Sequence, residues 1–357
     1  MTTMIELDGR YREGGGQILR TALALSAATG QAFRIQHIRA SRNPPGLKAQ
    51  HLAGVRAVQA LCGGKCEGAE MGATALTFVP GRIEAREVDV PISTAGSLTL
   101  LLQALLLPAA LAPHPVRLRL EGGTDVPGGP PWDSFVLLLA PLMARIARLE
   151  VRLMRRGFYP PGGGRVEIVV TPGGQREPLA LAERGTVLRV RGRSMASAQL
   201  RERRVAERQA QAAREMLGGL DVAIEESYEE SLSAGSALVL EAVTDRGARI
   251  GADALGMKRR TAEEVGRMAA ASLRTRLDGG CCTDEHLTDQ LIPLLALVGG
   301  SLRAETISEH TWANVHTTEQ FLGPCLEIVE ARPSGAEANT GLSARPQGEP
   351  HIVRRKT

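Results

Sequence analysis

The chain has 357 residues, 43% hydrophobic and 23% charged, which excludes a disordered polymer and suffices for one large or two ordinary domains. A formal charge of +4 and an isoelectric point near 9.0 suit a phosphate-rich partner. Five cysteines (Cys62, Cys66, Cys281, Cys282 and Cys325) match neither a disulfide framework nor a common zinc spacing, and read as thiols of a reducing compartment. The first residues hold no secretory h-region. The longest apolar run, Leu98–Pro113, is broken by Gln103 and Pro108 and falls short of the about 20 apolar residues a bilayer needs. A cytoplasmic protein without membrane contact is expected.

In chain order, a strand carrying Ile5 and Leu7 leads through a glycine triplet into a helix over Gln17–Thr29, where apolar residues recur at helical spacing. A strand at Ala32–Ile38, a helix at Leu47–Cys62 and short strands through Ala75–Val79 follow. The order then repeats, with a strand at Val88–Ile92, a helix at Ser97–Leu111, a strand at Val116–Leu120, a helix at Ser134–Arg148, and strands at Glu150–Met154 and Val166–Val170. A third such unit is split, leaving a helix at Glu285–Val298, a strand at Ser301–Thr306, a helix at Trp312–Leu322 and a strand at Leu326–Ala331.

Between the second and third units lies a different segment, with strands at Val187–Arg191 and Ala237–Ala242 and polar helices at Gln199–Leu217 and Lys258–Leu277. The fold class expected is α/β, with three β-α-β-α-β-β units forming a pseudo-symmetric core over 1–184 and 279–335, and a smaller α/β domain inserted over 185–278. Residues 336–357, rich in Pro, Gly, Ser and charge, read as a disordered or loosely held tail.

The sharpest motif is Arg156-Gly-Phe-Tyr-Pro-Pro-Gly-Gly-Gly-Arg-Val166. Its glycines allow positive φ and close approach to a phosphate, or simply a tight turn between strands. Gln103, inside an apolar helix, needs a hydrogen-bond partner in the core or on a ligand. His310, just before a helix, sits where free N–H groups suit a triphosphate and where the helix field disfavours imidazolium, leaving a nitrogen able to attack phosphorus.

The glycine-rich string resembles the signature of the RNA 3′-terminal phosphate cyclases. So do Glu13-Gly-Gly-Gly-Gln-Ile-Leu-Arg20, Ile38-Arg-Ala-Ser-Arg42, Pro45-Gly-Leu-Lys-Ala-Gln-His-Leu52, Ala95-Gly-Ser97 with Gln103, Gly122-Gly-Thr-Asp125 with Pro130-Pro131, Asp289-Gln290 and the His310 segment with Asn314. These matches run in order along nearly the whole chain outside the insert and tail.

The resemblance implies an enzyme that uses ATP to convert an RNA 3′-phosphate to a 2′,3′-cyclic phosphate through a histidine–AMP and then an RNA adenylate, with His310 as the nucleophile. It implies ATP contacts from Gln103, Pro130, His286, Leu287, Thr288, Asp289 and Gln290, although His286 stands where the family has tyrosine. Arg20, Arg39, Arg42, Gln50 and His51 would handle the RNA phosphate. Glu13 would either ligate a divalent metal, Mg²⁺ or Mn²⁺, or anchor the glycine turn. His316 has no such support and reads as structural or solvent-facing. The insert's Arg201, Arg203, Arg204 and Arg208 alternate with glutamates and read as a solvated helix face, not the main RNA site. Retention of His310, Glu13 and Gln103 speaks against a non-catalytic ribosomal-RNA processing relative. The ordered motifs speak against an enolpyruvyl transferase or a generic phosphate-binding module.

Overall fold

The computed structural model describes residues 4–330 and 351–356. Among them no helix is long and apolar enough to cross a membrane. The first sheet arises from β1 (Ile5–Asp8), α1 (Gln17–Thr29), β2 (Phe33–Gln36), α2 (Ala49–Cys62), β3 (Lys65–Glu67) and β4 (Leu76–Val79). Strand β1 is parallel to β2, β4 antiparallel to β2, and β3 antiparallel to β4. The parallel pair forces a crossover, which α1 supplies. This helix ends at Gly30, whose φ of +73° lets its N–H close on the Ser26 carbonyl.

The second sheet is built from β5 (Glu87–Pro91), α3 (Leu98–Ala110), β6 (Val116–Gly122), a helical stretch, β7 (Ala147–Arg155) and β8 (Gly164–Pro172). The helical stretch joins α4 (Trp132–Ser134) to α5 (Ala140–Met143) through a π-helical turn at Phe135–Leu139. Helix was expected as far as Arg148, but β7 begins at Ala147. There Leu149, Val151 and Leu153 alternate with exposed Arg148, Glu150 and Arg152, a period of two that belongs to a strand. The strand order β5-β6-β8-β7 repeats the parallel and antiparallel senses of β1-β2-β4-β3.

Strand β9 (Leu179–Leu181) starts the third sheet before the chain leaves it for a separate four-stranded one. That segment runs through β10 (Val187–Ser197), α6 (Val205–Met216), β11 (Val222–Glu229), β12 (Ser236–Thr244), β13 (Arg249–Leu255) and α7 (Ala262–Gly279). Its sheet has the order β11-β10-β12-β13, with α6 and α7 packed on it and on each other. Both helices start later than their sequence suggests. Arg204 (φ +49°) breaks the path into α6, and Arg259 (φ +66°) precedes the Thr261–Glu264 capping box that begins α7.

The chain returns through α8 (Glu285–Val298), β14 (Gly300–Ala304), α9 (Glu309–Leu322), β15 (Leu326–Glu330) and β16 (His351–Arg355). Strand β14 is parallel to β9, and β16 lies between β14 and β15, antiparallel to both. The expectation of a loose tail over 336–357 is therefore corrected at its end: Val353 is fully buried and Arg354 pairs with Glu327. Residues 336–350 of that tail lie outside the described residues. Helix α1 packs on α2, α3 and α9, and α8 packs on α9, so one apolar core joins the sheets. Ile18, Leu19, Leu23 and Leu25 of α1 are at most 2% exposed, each contributing about 1.5–3 kcal/mol of burial.

Candidate active site

Helix α9 begins at Glu309, so His310 is the second residue of its first turn rather than a residue ahead of it. Ser308 starts the helix by accepting from the Thr311 N–H at 2.9 Å. Both hydroxyls are held by buried Asp289, whose Oδ1 accepts from Ser308 at 2.9 Å and from Thr311 at 2.5 Å. Burial raises the Asp289 carboxyl to about 6. The His310 ring is half-buried, with Nε2 3.4 Å from Glu13 Oε2. Burial lowers its pKa against the opposing pull of Glu13, which favours neutral imidazole.

Glu13 also receives a hydrogen bond from Arg42 Nη2 at 3.2 Å. The glycine triplet explains how these groups meet. A Cβ on Gly15 would lie 3.8 Å from His310 Cε1 and 3.9 Å from Arg42 Nη2. One on Gly16 would lie 2.3 Å from His51 Nε2 and 3.0 Å from Arg20 Nη1. The turn thus brings Glu13, Arg42 and His310 to one side and Arg20 and His51 to the other. His51 is buried, its Nδ1 accepting from the Lys48 N–H at 3.2 Å, and burial with nearby cations lowers its pKa to about 3. Gln50 Oε1 accepts from the Ser97 N–H at 3.3 Å beside it.

Gln103 finds its partner in Arg20, whose Nε donates to Gln103 Oε1 at 3.0 Å and whose Nη2 donates to Gln17 Oε1 at 2.5 Å. Gln17 donates to Asn314 at 3.0 Å, Thr21 donates to Asn314 at 2.6 Å, and Asn314 donates to the Asp289 carbonyl at 2.8 Å. A polar chain therefore links α3, α1, α9 and α8. Sequence reasoning passed over Gln17 and Thr21, although Gln17 carries the same signal as Gln103, an amide in an apolar helix. Trp312 was also passed over; it stacks under Arg12, which reaches Glu309 at 3.5 Å.

Two adjoining clefts share Gln290. One is lined by Pro130, His286 and Leu287 together with Phe135, Asp253 and Asp284. The other is lined by Gln17, Thr21, Gln103 and Asp289. Thr288 stands apart from both. Its fully buried hydroxyl donates to the Asp284 carbonyl inside the first turn of α8. Arg39 is likewise committed elsewhere: it is buried and donates to the carbonyls of Pro44 at 3.2 Å and Gly46 at 2.7 Å, fixing that loop.

The signature arginine is also spent on structure. Arg156, 3% exposed, donates to Asp133 at 2.7 Å, Glu229 at 3.1 Å and Asp125 at 3.2 Å. Glu229 lies on β11, so this cluster ties the sheet of β10–β13 to the segment that forms the second sheet. Gly162 (φ +67°) and Gly163 (φ +70°) turn the chain tightly beneath it. A Cβ on Gly162 would meet the Ala95 backbone at 2.8 Å, so the room there is taken by protein.

Glu13 is a single half-exposed carboxylate, and among the described residues no three His, Cys, Asp or Glu side chains converge as a metal cage. That fits only an ion taking most of its oxygens from a triphosphate and water. The cysteines stand as thiols, with Cys62, Cys281 and Cys282 buried; burial pushes Cys281 up to about 12.

A family model described as RNA 3′-terminal phosphate cyclase matches residues 11–328. Relatives named RNA 3′-terminal phosphate cyclase include one from Pyrococcus abyssi, 43% identical over 328 residues, covering 91% of this chain and 95% of that one. Another, from Methanopyrus kandleri, is 43% identical over 353 residues, covering 93% of this chain and 100% of its own. A third, from Thermococcus onnurineus, is 46% identical over 331 residues, covering 91% of this chain and 96% of its own. The chain belongs to the RNA 3′-terminal phosphate cyclase family.

Proposed function

We propose that this protein cyclises RNA 3′-terminal phosphates with ATP, through adenylated His310. The observation that carries the reading is the half-buried His310 at the start of α9, set against the glycine turn between Glu13 and Arg20, where burial lowers its pKa. A nitrogen lone pair of the imidazole forms an N–P bond to the α-phosphorus, and pyrophosphate departs with the electrons of the broken P–O bond. The Asp289, Ser308 and Thr311 bonds fix the helix start that aims the ring. Arg42, bonded to Glu13, and Arg20, bonded to Gln103 and Gln17, border the glycine turn, where their guanidinium groups would offset charge on phosphoryl oxygens. The RNA 3′-phosphate oxygen then attacks the histidine-bound phosphorus, giving an RNA–AMP anhydride and freeing His310. The neighbouring 2′-OH, giving up its proton to solvent, closes on the terminal phosphorus and expels AMP; the step is intramolecular, so positioning supplies much of its rate.

Gln103, Asp289 and Gln290 on one side and Pro130, His286 and Leu287 on the other are the groups available to ATP. Thr288 and Arg39 act from beneath the site, through the backbone they hold. Glu13 would hold Mg²⁺ or Mn²⁺, which when bound neutralises phosphate charge. The finer arrangement, three repeated units with an insert over 185–278, is part of the same proposal; the recurring strand order supports it.

The test is incubation with ATP labelled in the α-phosphate. Acid-labile label on the wild type and none on His310→Ala is expected. A folded wild type that takes no label with Mg²⁺ or Mn²⁺ would refute the mechanism and favour a non-catalytic role in RNA processing.

A further inference from the structure

We infer that the single-stranded RNA leading to the 3′ end lies along a track from the His310 cleft, over the glycine-rich loop, to the basic end of the inserted sheet. The inference rests on the reading of an RNA 3′ end as substrate. Its starting point is Tyr159 at the loop's tip, 67% exposed in a chain with only 3% aromatic residues, with Leu232 beside the loop at 57% exposed. An exposed ring on a fixed loop is a platform for an unstacked base. The loop is fixed: Ser233 donates to the carbonyls of Phe158 and Tyr159 at 3.5 Å, and Gly163 abuts Leu232.

On one side this loop borders the site. Gly162 packs on Ala95, and the next residue, Gly96, packs on Gln50. On the other side the backbone at Arg156 bridges to Ser231, whose carbonyl accepts from Gln199 at 3.4 Å. Gln199 opens the turn carrying exposed Arg203 and Arg204. Arg208 donates to the Arg203 carbonyl at 3.4 Å and to Glu263 at 2.7 Å, which seats this turn against the start of α7. There Lys258, Arg259 and Arg267 are also exposed. Among the described residues none of these five cations forms an ion pair; of the acids around them Glu225, Glu226 and Glu263 pair with other arginines, whereas exposed Glu202 pairs with none. Glu226 is held by Arg214, Glu229 by Arg156, and Glu264 by the Thr261 N–H.

The charge alternation that reads in sequence as a solvated helix therefore resolves in space into a patch where unpaired cations outnumber the exposed Glu202 and Glu264, joined to an aromatic platform. Free cations beside an exposed ring suit a flexible strand whose bases can splay, not a stacked duplex. Terminal phosphate chemistry needs only the last nucleotides, so the track should matter for long RNA alone.

The test compares cyclisation of 3′-phosphorylated RNAs of about 4 and about 16 nucleotides, the span a single-strand groove covers. The variants are Tyr159→Ala and the double charge reversal Arg203→Glu with Arg267→Glu, both at surface positions. Each variant should raise KM for the long RNA about tenfold while leaving KM for the short RNA and His310 adenylylation unchanged. The double variant should also lower the slope of log affinity against log salt by at least about 1.4, two phosphates' worth on a single strand. Equal effects on both lengths, no effect on the long RNA, or equally tight binding of a blunt duplex end would overturn the track. Absence of His310 adenylylation in the wild type would instead strike the cyclase reading beneath it.

Discussion

Replacing Arg156 by Ala should destabilise the fold by about 3–5 kcal/mol, the usual cost of removing one partner from a buried ion pair. The structure says where that cost falls. Asp133 keeps a second partner, Arg193, at 3.1 Å, and Glu229 is 31% exposed and regains water. Asp125 is left worst off. Its side chain is 0% exposed and retains only the Thr124 hydroxyl at 2.6 Å and the Trp132 N–H at 3.3 Å. At 3.2 Å and an effective dielectric near 20, its attraction to Arg156 is about 5 kcal/mol before the cost of burial. Burial already pushes the Asp125 carboxyl upward, and without Arg156 nothing of comparable strength opposes that push.

The sign of the pH dependence follows. With its folded pKa raised, Asp125 in the variant binds a proton that the unfolded chain binds only nearer the ordinary value of 3.8. The deficit should therefore be largest at neutral pH and shrink on acidification toward that value. Guanidinium titrations of wild type, Arg156→Ala and Arg156→Met at pH 7 and pH 5 measure it. A neutral-pH loss below about 1 kcal/mol, or one that does not narrow at pH 5, would refute the account of Arg156 as a buried counter-ion and reopen a role at the phosphate.

Gly16→Ala would drive a Cβ to 2.3 Å from His51 Nε2 and 3.0 Å from Arg20 Nη1, and misplacement of this order should lower kcat/KM for RNA about 100-fold in a steady-state cyclisation assay. Because burial lowers the pKa of His310 below its ordinary 6.5, the adenylylation rate should hold level from neutral pH down past that value and fall only on further acidification. A half-maximal rate above pH 6.5, followed with labelled ATP, would contradict this. His51, held near 3 by burial, must gain a proton on unfolding at any pH between about 3 and 6.5. Its contribution to stability is thus complete above 6.5 and is lost as pH falls toward 3, so acid lability measured by melting should be reduced in His51→Gln.

What the sequence disclosed follows the range of the forces involved. Helices α1 and α8 lie at the residues their periodicity marks, because Gly30 and the Asp284 cap are local signals. Strand β16 was illegible: His351–Arg355 carries only Ile352 and Val353 as apolar residues, and its stability comes from β14 and β15 on either side. Strand β11 was missed for a like reason, since it is mostly polar and depends on parallel pairing with β10, whereas β13 was missed although it pairs locally with β12 in a hairpin. In the site, residue type disclosed His310, Glu13 and the amide Gln103. It did not disclose allegiance. Arg39, Arg42 and Arg156 look alike in sequence, yet one anchors a loop, one faces His310 across Glu13 and one is sealed among carboxylates. Only packing separates a guanidinium held by carbonyls from one available to a phosphate.

The same packing bears on where the proposed chemistry would sit. Helices α1 and α9 pack against each other, and the contact at Gly15 brings their starting turns together although nearly 300 residues of sequence lie between them. The two turns are finished differently. Helix α9 is closed by Ser308 under the control of Asp289, whereas α1 starts at Gly16 with no side chain capping its first N–H groups. Uncapped N–H groups in a first turn are the part of a helix that seeks an anion. On the proposed mechanism the capped helix would hold His310 still, and the uncapped one would leave donors for the phosphate that His310 attacks. A serine introduced at Gly16 would clash with His51 and compete for those donors, so the glycine there serves both clearance and chemistry.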